Sequence, residues 1–135
     1  NKINLDFFRK SINEKIIEHI PFSKDVRPYI MNSDCVILCS YREGCSRSLL
    51  EGAALGKPLL ASNVAGCNNI IKDNFNGFLF EPKNSFNTYE VIKKMLNLNH
   101  KDRILMGSRG RKLINEKFEI NFVNDYIISI IYKNI

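Results

Sequence analysis

Glu43 and Glu51 stand eight positions apart, on either side of the segment Gly44-Cys45-Ser46-Arg47-Ser48-Leu49-Leu50. That segment begins as a small polar loop and continues into a helical pattern. A loop of this kind offers unpaired backbone N–H groups together with the positive end of the helix dipole. The N–H groups of Arg47 to Leu49 are placed to accept a diphosphate, with a hydroxyl from Ser46 or Ser48 and a charge from Arg47 in support. Glu51 falls about one and a half turns into the helix, near the same end as Glu43. Carboxylates accept pairs of hydroxyl hydrogens, so one suits the vicinal hydroxyls of a ribose and the other the hydroxyls of a sugar. Two surface carboxylates flanking a helix start, where acidic side chains are favoured in any case, meet the same spacing.

The elements that must hold these groups are legible around them. Cys35 to Cys39 is a continuous apolar run, the pattern of a strand covered on both faces of a parallel sheet. Ser46 to Leu55 is helical and stops at Gly56, and Pro58 to Ser62 is a second buried strand, which completes a βαβ unit. In open parallel sheets ligands bind beyond the C-terminal ends of the strands, which directs attention to the loops Ser40–Ser48 and Asn63–Gly66.

Upstream, Phe7, Phe8 and Ile12 give a helix over Asp6–Ile12 with Asn4 or Asp6 as its cap. Glu14–Ile20 reads as a short strand closed by Pro21, and a helix runs from Ser23 or Lys24 to Ser33 with Pro28 in its first turn. Downstream follow a short helix over Gly66–Lys72, a turn over Asn74–Gly77, a strand over Phe78–Phe80 halted by Pro82, and helices over Ser85–Leu96, Lys101–Lys117 and Glu119–Lys133. Strands alternating with helices specify an α/β, Rossmann-like doubly wound parallel sheet with a helical C-terminal tail. The 135 residues suit one domain, and no repeat or internal linker divides them.

A hydrophobic share of 44% with 25% charged residues excludes disordered and fibrous classes. The longest apolar stretches, Cys35–Cys39 and Tyr126–Tyr132, fall far short of the roughly 20 residues a membrane span needs. The chain opens Asn-Lys-Ile-Asn, with neither an initiator Met nor an apolar signal region, and is expected to be a cut inside a larger protein. Cys35, Cys39, Cys45 and Cys67 show no CxxC pair and no disulfide-scaffold density, so reduced thiols and a cytoplasmic setting are expected. His19 and His100 are isolated, and no metal-ligand cluster is evident. The net charge of +6 attracts polyanions, but the lysines are spread singly over helices as on a solvated face. Basic residues are not interleaved with aromatics as in nucleic-acid modules, and no G-x-G-x-x-G follows a first strand, so neither nucleic acid nor NAD is expected.

Three quoted stretches carry a family resemblance: Ser40-Tyr41-Arg42-Glu43-Gly44, then Leu49-Leu50-Glu51-Gly52-Ala53-Ala54-Leu55-Gly56-Lys57-Pro58, then Ala61-Ser62-Asn63-Val64-Ala65-Gly66. Together they resemble the E-x7-E signature of group 1 (family 4) glycosyltransferases, and the similarity extends through Asp73–Phe80 and, upstream, Asp25–Tyr29. The resemblance implies a GT-B architecture of two Rossmann-like domains. Residues 1–135 would be most of the C-terminal, nucleotide-sugar-binding domain, with its first strand and the acceptor-binding N-terminal domain absent.

On that resemblance Glu43 would be catalytic, facing the donor sugar and the positive charge developing at its anomeric carbon. Glu51 would bind the ribose, Cys45 and Ser46 would touch the sugar, Gly44 would belong to the same donor site, and Arg47, Ser48 and Leu49 would give N–H groups to the diphosphate. Phe22 and Ser23 would border the base. The chain departs from the family in Gly44-Cys45-Ser46, where Gly-Phe-Gly or Gly-Leu-Pro is common, and in Gly52, where Ala is common. The family resemblance further implies retaining transfer without metal or other cofactor, the helix dipole and basic groups neutralising the leaving diphosphate. A UDP-sugar donor of galactose or N-acetylgalactosamine type, a lipid-linked or polysaccharide acceptor, and peripheral association with the inner face of a membrane are the corresponding expectations. An isolated donor lobe is expected to be inactive. The alternatives are a GT-B nucleotide-sugar epimerase and a non-catalytic nucleotide-binding module.

Overall fold

The computed structural model describes residues 4–118, 123–124 and 128–130. Its elements in chain order are α1 (Leu5–Asn13), α2 (Arg27–Met31), β1 (Val36–Leu38), α3 (Arg47–Ala54), β2 (Leu59–Ser62), α4 (Ala65–Asn68), β3 (Gly77–Phe80), α5 (Ser85–Asn97) and α6 (His100–Lys117). The three strands form one parallel sheet in the order β1-β2-β3, with Val36 opposite Leu59 and Leu59 opposite Gly77.

All four residues of β2 are buried, as a central parallel strand requires. Alternation along the strand sends Leu59 and Ala61 to one face and Leu60 to the other. The first face packs with Leu49 and Ala53 of α3 and Ile114 of α6, together with Cys67, Ile70 and Ile71. The second packs Leu60, Phe78 and Phe80 against Met95 of α5 and Met106 of α6. Helices therefore cover both sides, and the doubly wound α/β reading holds. Gly52 is the residue that lets α3 lie flat on the sheet, since a Cβ there would stand 2.8 Å from Val36 Cγ2. The departure from Ala at this position is thus a packing feature.

The expected strand over Glu14–Ile20 is absent. Lys15 adopts a left-handed φ of 56° and ends α1 in a Schellman motif: Lys15 N–H donates to the Ile12 carbonyl at 3.0 Å and Ile16 N–H to the Ser11 carbonyl at 2.9 Å. Ile17 N–H also donates to Ser11, at 3.3 Å, so the amides that a ladder needs are spent on the helix end. The helix expected from Ser23 or Lys24 starts only at Arg27, with Pro in its first turn. Local bonds compete there: the Ser23 hydroxyl donates to the Asp25 carbonyl at 2.6 Å, and Arg27 N–H donates to the Asp25 carboxylate at 3.0 Å.

The helix expected over Gly66–Lys72 shortens to α4. Beyond it, Asn76, fully buried, accepts from Lys72 N–H at 2.7 Å and donates to the Ile70 carbonyl at 3.0 Å, which folds the connection to β3 as a loop. Of the helix expected over Glu119–Lys133, residues 123–124 and 128–130 are helical, and the remainder lies outside the described residues. No described helix is long and apolar enough to cross a membrane.

Candidate functional site

The loop from β1 to α3 leaves the sheet at the C-terminal ends of its strands. Ser46 is the N-cap of α3, in extended backbone conformation, and its Oγ accepts from Leu49 N–H at 3.4 Å while lying 3.1 Å from the Ser48 hydroxyl. The helix's own ladder begins with Leu50 N–H donating to the Ser46 carbonyl at 3.1 Å. The N–H groups of Arg47 and Ser48 therefore precede any intrahelical acceptor, and they lie on an exposed turn. Ser46 and Leu49 are buried beneath them. Of the donors read from the sequence, those of Arg47 and Ser48 remain open, whereas the Leu49 amide is held by the cap. The Ser46 hydroxyl is engaged in that cap, and Gly44 and Cys45 are exposed at the mouth of the loop.

Glu51 is one turn below Arg47 on the same helix face, and side chains on a helix lean toward its N-terminus. Glu43 and Glu51 are both half-buried. Among the described residues no hydrogen bond or ion pair engages either carboxylate. Two carboxylates without partners and two free amides thus surround one helix end. The arrangement can accept hydroxyl hydrogens and donate to an anion at once.

The second loop fixes the first. Gly66, in α4, approaches the backbone carbonyls of Glu43 and Gly44 so closely that a Cβ would overlap them. Cys67, next in the chain, is fully buried, and burial and then the charge of Glu43 push its thiol above the ordinary range. Glu43 is therefore anchored by its backbone on the β2–α4 turn and within electrostatic reach of Cys67. The contact role of Gly66 was not evident in the sequence, although a glycine just past a strand and inside a helix start is the available signal.

Phe22 and Ser23 stand apart. Phe22 is 80% exposed, and the hydrogen bonds of Ser23 stay with Asp25. No described hydrogen bond brings either residue to Glu43 or Glu51.

A parallel sheet wound on both sides, with a helix N-terminus and two carboxylates at the strand ends, defines a Rossmann-like half of a GT-B fold. The same fold occurs in the Anabaena protein HepE in complex with UDP, at a TM-score of 0.85 and 19% identity over 96% of this chain and 36% of that one. It occurs also in the C-terminal domain of LpcC, a glycosyl transferase group 1 family protein of Francisella tularensis, at a TM-score of 0.68 and 25% identity over 89% and 66% of the two chains. The family model of glycosyl transferases group 1 matches residues 9–113, and the chain belongs to that family.

Among curated relatives, the N,N'-diacetylbacillosaminyl-diphospho-undecaprenol alpha-1,3-N-acetylgalactosaminyltransferase of Campylobacter jejuni is 29% identical over 85 residues, 63% of this chain and 23% of its own. The capsular polysaccharide biosynthesis glycosyltransferase CapM of Staphylococcus aureus is 26% identical over 117 residues, 87% of this chain and 30% of its own. The chain thus covers less than a third of the length of either relative.

Proposed function

We propose that this chain is the donor-binding domain of a two-lobed glycosyltransferase and that it holds a UDP-sugar at the N-terminus of α3. The observation that carries the reading is the pairing of open amides at Arg47 and Ser48 with the unpartnered, half-buried carboxylates of Glu43 and Glu51. The amides and the helix dipole accept the diphosphate, and Glu51 accepts the ribose hydroxyls. Glu43 lies beside the donor sugar, where its charge stabilises the positive charge that develops at the anomeric carbon. Gly44, Cys45 and Ser46 shape the sugar end of the site, and Phe22 and Ser23 border the base once donor is bound.

Transfer is retaining and metal-independent in this reading, with the helix end taking the charge of the leaving diphosphate. The acceptor is a lipid-linked saccharide or polysaccharide carried by the second lobe, and the protein works on the cytoplasmic face of a membrane to which it binds peripherally. The UDP complex of HepE and the diphospho-undecaprenol substrate of the Campylobacter relative support donor and acceptor classes respectively. Without the second lobe the domain binds donor but does not turn over, because acceptor positioning and water exclusion need both.

Calorimetric titration with UDP tests the assignment. Glu51→Ala is expected to weaken UDP by about tenfold or more, since hydrogen bonds to a charged group contribute roughly 1.5–3 kcal/mol. Unchanged affinity in that variant would remove the ribose assignment and with it the reading.

A further inference from the structure

A second cleft, of about 360 Å³, lies between α6 and the loop that enters β3, and Lys72, Arg109, Lys112 and Lys117 all line it. None of the residues from Glu43 to Glu51 does. The loop of Lys72 and Phe75 enters β3 at the N-terminal end of the parallel sheet, the opposite end from the start of α3. On α6, Arg109, Lys112, Leu113, Glu116 and Lys117 fall at helical spacing and share one face.

Phe75 and Leu113, both half-buried, are the apolar part of the lining, and Lys72 Nζ and Arg109 Cζ each lie 5.2 Å from the centre of the Phe75 ring. Among the described residues no ion pair engages Lys72, Arg109 or Lys117. Glu116 is the acidic group in the lining. Its pairing with Lys112 is 3.9 Å long between side chains 61% and 80% exposed, a contact that water screens. The neighbouring Asp73 carboxylate is taken up by its own turn, accepting from Leu79 N–H at 2.9 Å and from the Asn74 side-chain amide at 2.6 Å. Four cations against one screened acid leave this face positive.

Arg109 and Lys117 are eight residues apart, about 12 Å along the helix, too far to converge on a single phosphate. Cations strung along a helix face beside an apolar strip suit a surface that presents many phosphates side by side above an acyl layer. They do not suit a nucleic acid, because the aromatic ring among them is already held by two cations and is not free for a base to stack on. We propose that this face of α6, with the Lys72–Phe75 loop, is where the domain contacts an anionic phospholipid bilayer. The inference rests on the peripheral membrane reading given above and locates its contact. It leaves the α3 site, at the other end of the sheet, open to take donor.

Sedimentation of the chain with vesicles tests this, comparing phosphatidylcholine alone with phosphatidylcholine carrying about 30% phosphatidylserine. The mixed vesicles are expected to bind at least about tenfold tighter, and the difference should vanish at about 0.5 M salt. Each lysine at such a surface contributes about fivefold in affinity, so Lys72→Gln, Lys112→Gln and Lys117→Gln combined should weaken binding about 30-fold or more. Lys24→Gln, Lys93→Gln and Lys101→Gln combined remove the same charge elsewhere and should weaken it less than about fivefold. Unchanged circular dichroism shows that both triple variants fold. Equal loss in the two would overturn the surface in favour of net charge, and undiminished binding by the first would place the membrane contact elsewhere in the chain. Equal binding to both vesicles, or binding to neither, would overturn charge-driven docking on this face. Tighter binding of polyglutamate than of the mixed vesicles, at equal anionic charge, would overturn the lipid assignment in favour of an acidic protein. Absence of UDP binding, with the vesicles behaving as expected, would count against the α3 donor site and not against this surface.

Discussion

Gly66 packs on the carbonyl of Glu43, with no room for a Cβ between them. The contact joins the loop after β2 to the loop after β1, so the position of Glu43 is set by a residue 23 places further along the chain. Gly66→Ala must push backbone against backbone. A loss of about 1–3 kcal/mol in stability is expected from such overpacking, accompanied by weaker UDP binding as the α3 start shifts. Urea unfolding and titration on the same preparation check both, and a variant as stable and as tightly binding as wild type would show that the two loops are not locked together.

Glu43 itself is expected to separate binding from turnover. In a protein that joins this domain to the proposed second lobe, Glu43→Gln should hold UDP within about twofold of wild type and lower kcat by about 100-fold or more, the scale of losing one electrostatic stabiliser of the transition state. Single-turnover assays that look for a new glycosidic bond would check it, and they also distinguish transfer from epimerisation of the donor. A kcat close to wild type would remove Glu43 from the reacting centre.

Ser46 caps α3 from a buried position, with Oγ accepting from Leu49 N–H. Ser46→Ala is expected to cost about 1 kcal/mol, and Ser46→Gly clearly less, because glycine is itself tolerated at an N-cap. Denaturant midpoints rank the two. The opposite order would mean that the hydroxyl is not what holds the helix start.

Asn76 is the buried polar group on which the loop before β3 depends. Its amide nitrogen serves Ile70 and its oxygen serves Lys72, with no exposure to water. Asn76→Ala strands a backbone carbonyl and a backbone N–H together, and a loss of about 2 kcal/mol or more is expected. Hydrogen exchange at Lys72 should accelerate at the same time; if it does not, the bond to Lys72 is not what protects that amide.

The sheet and the start of α3 could be read from residue types because their signals are local. Cys35–Cys39 and Pro58–Ser62 are apolar runs too short for helices, and Ser46 stands where a cap must; of the two runs only β2 is covered on both faces, since β1 lies at the sheet edge with Ile37 exposed. The segment Glu14–Ile20 misled for an equally local reason: Ile16, Ile17 and Ile20 closed by Pro21 suggest a strand, but Lys15 takes a left-handed turn that residue type does not announce, and the helix end consumes the amides. In the site, the carboxylates and helix-end donors were legible, whereas the engagement of Leu49 and the approach of Gly66 depend on three-dimensional closeness.

Three thiols, those of Cys35, Cys39 and Cys67, are pushed above the ordinary range chiefly by burial, and for Cys67 the charge of Glu43 adds to it. A group whose pKa is raised by folding keeps its proton in the native state at a pH where the unfolded chain has released it. Stability from these thiols is therefore complete below the unfolded value, roughly pH 8.5, and is lost as pH rises from there toward the folded values. Urea midpoints are expected to fall between about pH 8 and pH 10, more steeply in wild type than in Cys67→Ala. Tyrosine and lysine titration affects both proteins alike, so the difference between the two curves isolates this thiol. Glu43→Gln should flatten the decline slightly, because it removes the nearby charge while leaving Cys67 buried. Parallel curves for wild type and Cys67→Ala would show that this thiol does not couple folding to pH.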